Sequence, residues 1–475
     1  MARTRILATL GLSNLTKERI QALVEAGADA LRINFSHGDD SQHRELLRMV
    51  NEISTETGRH VTTVADLQGP KIRLGELEPE VHNLAALSDV FLVPGHGPTK
   101  PPRLPVVLDD LLEVTSVGQR ILIGDGAVEL SVTGKENGEV KAQVVHGGTV
   151  SSHRGIYLPG APLRTEALSE KDLHDLSVAL TAGVDWIALS FVRSAKDIET
   201  ARERIRHLAP GRPVYLLAKI ERSEAVMASQ EIIASADGIM VARGDLGIET
   251  PLAELPLTQK NLINDANRAA KPCVVATQML LSMVHSPRPS RAEVADVANA
   301  ILDGADCLML SEETAVGEYP TEAVMCLREV AEATEPYIVE QHGTFLVNPP
   351  NTPPLPHGEE GAVAVAAVRL SEQIKAKAIV VPTHSGRTAR LVSRLRPRAP
   401  ILVLTSQSST PASVGLLWGV RCRTVPSRLT LDGLRDTARQ TAREEFGLHT
   451  GDRIILTAGY PVEGRPTNLV AVAEI

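Results

Sequence analysis

The 475-residue chain is poor in aromatic residues, with Phe, Trp and Tyr together making up 3% of it. So few rings leave little for nucleic-acid bases to stack on. A formal net charge of −9 and a sequence pI near 5.9 also argue against nucleic acid or an anionic membrane surface as a partner. Cysteine is scarce as well. The four thiols, Cys273, Cys307, Cys326 and Cys422, form no CxxC pair and have no histidine at zinc-site spacing. That pattern predicts a reduced cytosolic protein with buried thiols. No apolar run approaches the ~20 residues that span a membrane. The N-terminal MARTRILATLGLSN has an apolar run too short for a signal segment and reads as a first strand. The length predicts two to four domains.

What is present is organised around Val214–Gly247. VYLLA stops at Lys219 and Glu221, and GIMVA stops at Arg243 and Asp245. Continuous apolar runs of this kind are buried parallel strands, and their polar ends are where α/β barrels place chemistry. Lys219 and Glu221 are two apart and project to the same side of an extended backbone, with Asp245 arriving from the next strand. Two carboxylates beside a lysine suit a hard divalent cation with an ammonium next to it, a set that neutralises a phosphoryl group in transfer. The competing reading is a solvated KIER turn and an RGD loop.

The same form recurs along the chain. RILAT ends at Thr9, DALRINF is followed by a helix from Ser41 to Thr57, and HVTTVAD ends at Asp66. VDWIALS, the Lys219 and Arg243 strands, PCVVAT and DCLML complete eight units, with helix-start signals SEKD, SAKD and SRAE. Eight strand–helix units predict a (β/α)8 barrel. From Lys71 to Tyr157 short alternating runs with Gly and Asn turns predict a small β domain inserted as a lid. A passive decoration is the alternative. After a Pro-rich connector, VNPPNTPPLPHG, five further strands predict an open α/β sheet. Its first strand runs into PTHSGRTAR, whose hydroxyls and N–H groups can cradle a phosphate or merely cap a helix.

These residues, in LRINFSHG, DLQGPKIRLG, AKIER, MVARGDLGIE, ATQMLLSM, SPRPSRAEVADVANAILDGAD and MLSEETAVGEYP, give a chain that closely resembles pyruvate kinase over essentially its full length. The resemblance implies a TIM barrel (1–70 and 157–337), a small β-barrel lid (71–156), a linker (338–357) and an α/β effector domain (358–475), assembled as a homotetramer. The implied reaction moves a phosphoryl group from phosphoenolpyruvate to ADP, giving ATP, and then protonates the pyruvate enolate. By the same resemblance, Glu221 and Asp245 hold Mg2+ or Mn2+, and Lys219 steadies the phosphoryl group. Arg32 and Arg73 grip phosphate oxygens, Thr277 sits beside the enolate carbon, and the backbone of Ala242, Arg243 and Gly244 receives the substrate carboxylate. Asn34, His37, Arg73 and Arg154 are implied on the nucleotide side. Asn34, Ser36, Asp66 and the Leu67 carbonyl match a monovalent-cation site, and Thr383, Ser385, Gly386, Arg387 and Thr388 match a site for a phosphorylated effector.

Several positions depart from the family's commoner pattern. TLGLSN lacks the usual Gly-Pro, Arg154 replaces a lysine in HRGIYLPG, and GRPTN replaces a Gly-Thr-Thr-Asn form in the effector domain. Potassium-dependent members carry threonine at Leu67 and glutamate at Lys71. Here Lys71 supplies a tethered ammonium of the same charge, which predicts activity without added K+. Two other functions compete. A carbon–carbon lyase on a related barrel gives no use for Lys219, the arginines or the lid. A silent regulatory paralogue would be expected to have lost one of Lys219, Glu221, Asp245, Arg73 or Thr277, and all are present.

Overall fold

The computed structural model describes residues 2–12, 16–124, 126–162, 166–342, 358–427, 430–459 and 466–475. Three barrel strands come first: β1 (Arg5–Leu10), β2 (Ala30–Asn34) and β3 (Thr62–Asp66). The inserted strands are β4 (Val81–Leu84), β5 (Asp89–Pro94), β6 (Arg103–Val106), β7 (Arg120–Ile123), β8 (Val128–Glu136), β9 (Glu139–His146), β10 (Gly148–Ser151) and β11 (Ile156–Tyr157). The barrel resumes with β12 (Trp186–Leu189), β13 (Tyr215–Ile220), β14 (Gly238–Ala242), β15 (Cys273–Ala276) and β16 (Cys307–Leu310). These eight parallel strands close in the order β1-β16-β15-β14-β13-β12-β3-β2. Strands β17 (Ala378–Pro382), β18 (Ile401–Thr405), β19 (Val420–Thr424), β20 (Arg453–Ala458) and β21 (Leu469–Glu474) form the second α/β sheet, order β19-β18-β17-β20-β21, with only β21 antiparallel.

The apolar runs conceal an alternation. Leu7, Ala30, Val64, Trp186, Ala188, Leu217, Met240, Val274 and Met309 pack together in one buried cluster. Their immediate neighbours Ile6, Ala8, Leu31, Ile33, Ala65, Ile187 and Ala218 belong to another, shared with the surrounding helices. The first set is the barrel's interior and the second its outer wall, as a two-residue period requires. One step further along each strand the interior positions are Thr9, Arg32, Asp66, Ser190 and Lys219. The inside of the barrel therefore turns from apolar to charged at its C-terminal end. The helices are held at their starts as the sequence indicates. Ser169, Ser194 and Ser290 each form a reciprocal capping box with the residue three positions on, Asp172, Asp197 and Glu293.

At the other end, the C-terminal domain supplies the barrel's floor. Leu416 is fully buried within the interior cluster, and the Trp186 indole N–H donates to the Ala412 carbonyl at 2.9 Å. Gly415 lies against β3 so closely that a Cβ there would sit 1.8 Å from Thr62 Oγ1.

Several features differ from expectation. The inserted strands pair as a six-stranded sheet and a separate two-stranded ribbon, β10-β4, over one apolar core; among the described residues the ladder does not close into a barrel. The helix from Pro320 runs to His342, past the expected linker start at 338, because Ile338 still packs into the barrel's outer core. The Pro-rich connector at 347–357 lies outside the described residues, as do Ser13 and Asn14 of TLGLSN and Gly464 and Arg465 of GRPTN. Cys273 and Cys307 are buried, but Cys326 and Cys422 are only partly so. Among the described residues no helix is long and apolar enough to cross a membrane.

Candidate active site

Strands β2, β3, β12 and β13 bring five polar side chains to one point. Lys219 Nζ donates to Ser190 Oγ at 2.7 Å and lies 3.2 Å from Asp66 Oδ1 and 2.8 Å from Glu221 Oε1. Asp66 in turn accepts from Arg32 Nε at 2.6 Å, and Arg32 also donates to Thr9 Oγ1 at 3.2 Å. Burial works to raise the Asp66 pKa, but Lys219 and Arg32 outweigh it and hold the carboxyl below its usual range. For Lys219 burial pulls the ammonium down, and Asp66 and Glu221 more than reverse that, so it stays charged. The adjacent Glu221 carboxyl is pushed above its usual range by burial, with Lys219 opposing and the Asp245 charge adding to the rise.

Glu221 is almost fully buried and accepts from the Phe191 N–H at 2.8 Å through Oε2. Its Oε1 is close to Lys219 but poorly aligned, and has no hydrogen-bond partner. Asp245 stands in the first turn of the helix Arg243–Glu249 that follows β14, so the RGD segment is helical and not a loop. It accepts from Tyr157 OH at 2.8 Å, where the inserted domain rejoins the barrel. Arg73, Arg154, Asn34, Ser36 and His37 line the same cavity of about 530 Å3 with Lys219, Glu221 and Asp245. Arg73 donates to the His153 carbonyl at 3.0 Å and Arg154 is exposed. His37 is exposed, and its carbonyl is held by His43 Nε2 at 2.8 Å.

Thr277 borders a neighbouring cleft, together with Arg243, Gly244 and Asp245. Its φ of +74° is a left-handed conformation that a β-branched residue rarely adopts. Three bonds hold it there: Gly244 N–H donates to its Oγ1 at 2.9 Å, the hydroxyl donates to the Ala276 carbonyl at 2.6 Å, and Arg243 Nη2 donates to the Thr277 carbonyl at 2.7 Å. The Gly244 N–H, one of the three backbone groups assigned to a substrate carboxylate, is thus already engaged.

The monovalent-cation set is also largely occupied by internal bonds. Asn34 Oδ1 accepts the Ser36 N–H at 3.1 Å, Asp66 is flanked by two cations, and the Leu67 carbonyl accepts from Ser190 Oγ at 2.7 Å. Lys71 reaches a different partner from the one expected. Its ammonium is 3.9 Å from Asp245 Oδ1 and 5.2 Å from the centre of the Tyr157 ring. In the 383–388 loop, expected to take an effector, Thr383 Oγ1 accepts the Gly386 N–H at 3.1 Å, and Arg387 pairs with Glu360 at 2.7 Å. Thr388 is buried against Thr467 at 2.7 Å.

Sequence reasoning missed Ser190, Tyr157 and Phe191. VDWIALS does end at Ser190, and that polar stop was the available signal. Nothing local marks Tyr157, which reaches Asp245 across 88 residues of chain.

The family model for the pyruvate kinase barrel domain matches residues 1–324, and that for the pyruvate kinase alpha/beta domain matches residues 361–473. The chain belongs to the pyruvate kinase family. It is 41% identical over 474 residues to a pyruvate kinase of Mycobacterium tuberculosis, covering 100% of this chain and 98% of the relative. It is 37% identical over 476 residues to that of Geobacillus stearothermophilus, covering 100% of this chain and 80% of the relative. A crystal structure of a pyruvate kinase from Cryptosporidium parvum superposes with a TM-score of 0.93 at 32% identity, covering 100% of this chain and 96% of that one. As a pyruvate kinase family member the chain is a phosphotransferase enzyme, whose implied substrates are phosphoenolpyruvate and ADP.

Proposed function

We propose that the cluster around Lys219 is the phosphoryl-transfer site and that it works without added potassium. One observation carries the first half: a buried ammonium converges with Arg32 and two carboxylates at the charged end of the barrel, beside a 530 Å3 cavity. Glu221 and Asp245 fit a divalent cation. Glu221 Oε1 is buried without a hydrogen bond, its carboxyl is raised by burial and by Asp245, and oxygen ligands suit Mg2+. Two protein carboxylates leave the remaining positions to water and substrate oxygens, a common arrangement for Mg2+. When bound, the cation would neutralise charge on substrate oxygens.

The chain's own groups do the rest. Lys219 places a fixed positive charge where a phosphoryl group in transit carries its negative charge. Arg32 and Arg73 offer planar donor forks to phosphate oxygens. Arg154 and His37 lie where the nucleotide side of the cavity would be. Thr277, held in one orientation, presents its hydroxyl beside the enolate carbon. A phosphorylated effector at the 383–388 loop would rely on Thr383, Ser385 and Arg387, since Thr388 is tied to Thr467.

Potassium independence rests on the satisfied ion site and on Lys71. Asn34 Oδ1, Asp66 and the Leu67 carbonyl, which would coordinate a monovalent cation, already have partners within the chain, and Lys71 adds a unit of positive charge to the cavity. Pyruvate formation from phosphoenolpyruvate and ADP, with Mg2+ and a tetraalkylammonium salt, tests both halves. Full turnover is expected, abolished by a chelator. A rise of tenfold or more on adding potassium, about 1.4 kcal/mol in the barrier, would defeat the second half. Lys71→Glu should create partial potassium dependence, more complete with Leu67→Thr.

Arg243 is expected to act through Thr277. One guanidinium ties the Thr277 carbonyl to Asp296 at 2.8 Å, and so opposes the ~1–3 kcal/mol cost of a strained backbone. Arg243→Met should lower kcat about 30-fold with a smaller change in KM, and should add little to Thr277→Ala. Full additivity in that double-mutant cycle would show that the two residues act separately.

A further inference from the structure

The two segments that join the inserted domain to the barrel both reach the same carboxylate. The chain enters the domain through Lys71–Leu74 and leaves it through Arg154–Tyr157. Those segments are bonded side by side. The Leu74 N–H donates to the Arg154 carbonyl at 2.8 Å, and the Ile156 N–H donates to the Ile72 carbonyl at 3.0 Å. Ile72, Leu74 and Ile156 are buried in the apolar core of the inserted domain. Alternation along an extended backbone therefore turns Lys71, Arg73 and Tyr157 the other way, toward the barrel. Gly155 lets the two segments close up, since a Cβ there would lie 2.8 Å from Lys71 Cε.

Tyr157 is buried, and its hydroxyl donates to Asp245 Oδ1 at 2.8 Å. The Lys71 ammonium lies 3.9 Å from that same oxygen and 5.2 Å from the centre of the Tyr157 ring, within cation–π range. The ring thus holds Asp245 with its hydroxyl and Lys71 with its face. Asp245 Oδ2 accepts no hydrogen bond among the described residues. One oxygen of the carboxylate is fixed from the root of the inserted domain, and the other is left over. Tyr157 lines neither the 530 Å3 cavity nor the cleft beside Thr277, so it can act only through Asp245.

We infer that Tyr157 is a positioning residue for the divalent cation, an inference that rests on Asp245 being one of its ligands. A carboxylate that rotates freely loses that freedom when a cation binds, and here the phenol has removed it beforehand. Mg2+ gains most from such an arrangement, because it demands near-octahedral geometry and tolerates misplaced ligands poorly. Hydrogen-bond partners behind a ligand govern metal affinity by about 10–100-fold. The phenol bond runs from the inserted domain to the helix Arg243–Glu249 of the barrel. Part of the cation affinity therefore resides outside the barrel that carries both carboxylates.

Tyr157→Phe in the full chain, with Mn2+ binding followed by electron paramagnetic resonance in the absence of substrates, tests the inference. The Kd for Mn2+ should rise about tenfold. In steady-state assays the Mg2+ concentration giving half-maximal rate should rise by the same factor, while kcat at saturating Mg2+ falls less than threefold. A merely structural role would lower kcat or the unfolding midpoint and leave the metal requirement where it was. Asp245→Asn is the reference. Unchanged Mn2+ binding in Asp245→Asn would overturn the active-site reading and this inference with it. Binding lost in Asp245→Asn, but weakened less than threefold in Tyr157→Phe, would overturn the inference alone. By linkage, saturating Mg2+ should also slow backbone hydrogen exchange of the wild-type protein at residues 71–74 and 154–157, a readout that needs no variant. No slowing in either segment would likewise overturn it.

Discussion

Replacing Lys219 with methionine should lower turnover by about a thousandfold, roughly 4 kcal/mol in the barrier, while divalent-cation binding survives. The ammonium is buried, fixed by a 2.7 Å bond to Ser190 Oγ and flanked by Asp66 and Glu221, so it needs no rearrangement to meet developing charge. Methionine fills a similar volume without the charge. Asp66 keeps Arg32 at 2.6 Å and is not left unpaired. Glu221 keeps its bond from the Phe191 N–H. Glu221→Ala should behave differently and weaken the cation itself. Metal titration by manganese electron paramagnetic resonance, beside the steady-state rates, separates the two variants. Turnover of Lys219→Met within tenfold of the parent would remove that residue from the chemistry.

The second large effect concerns stability. Arg396 and Asp306 form an ion pair at 2.7 Å, with each side chain only 4% exposed, between the C-terminal domain and the start of β16. Asp306 also accepts the N–H groups of Cys273 and Trp418, and Arg396 also donates to the carbonyl of Gly304 and to Asn267. Arg396→Met removes the cation and leaves a buried carboxylate, a change that costs about 3–5 kcal/mol. Urea unfolding followed by fluorescence should show the midpoint move accordingly. The double variant with Asp306→Asn should recover part of the loss, because the stranded charge goes with it. A single variant within 1 kcal/mol of the parent would mean that water reaches the pair.

Much of this molecule could be read from the chain because barrel strands advertise themselves. Each is a short apolar run that stops at a polar residue, and Lys219, Asp66 and Arg32 stand at or next to those stops. The three Ser-x-x-acid signals each became a capping box for a similar local reason. What stayed hidden depends on distance along the chain. Tyr157 meets Asp245 only because the inserted domain returns beside β14, and no pattern near residue 157 states that. The family resemblance puts the Lys71 ammonium at the monovalent-cation site, yet it lies near Asp245 and the Tyr157 ring, which arrive from elsewhere. The inserted strands were legible as strands, but whether their edges meet depends on hydrogen-bond register, which alternation alone does not encode.

The floor built by Leu416 and the Trp186–Ala412 bond has a bearing on how freely the barrel can be reused. A gene segment ending near residue 342 would encode all eight barrel strands and the whole candidate catalytic cluster. The resulting module would nonetheless have an apolar well open to water, lined by Leu7, Val64, Trp186 and Leu217. Transplanting the catalytic half into another protein therefore demands a replacement stopper as well as a lid, and shuffling at the domain boundary is penalised from below. In this architecture the C-terminal domain is part of the barrel's own construction, so the two halves are expected to be inherited together.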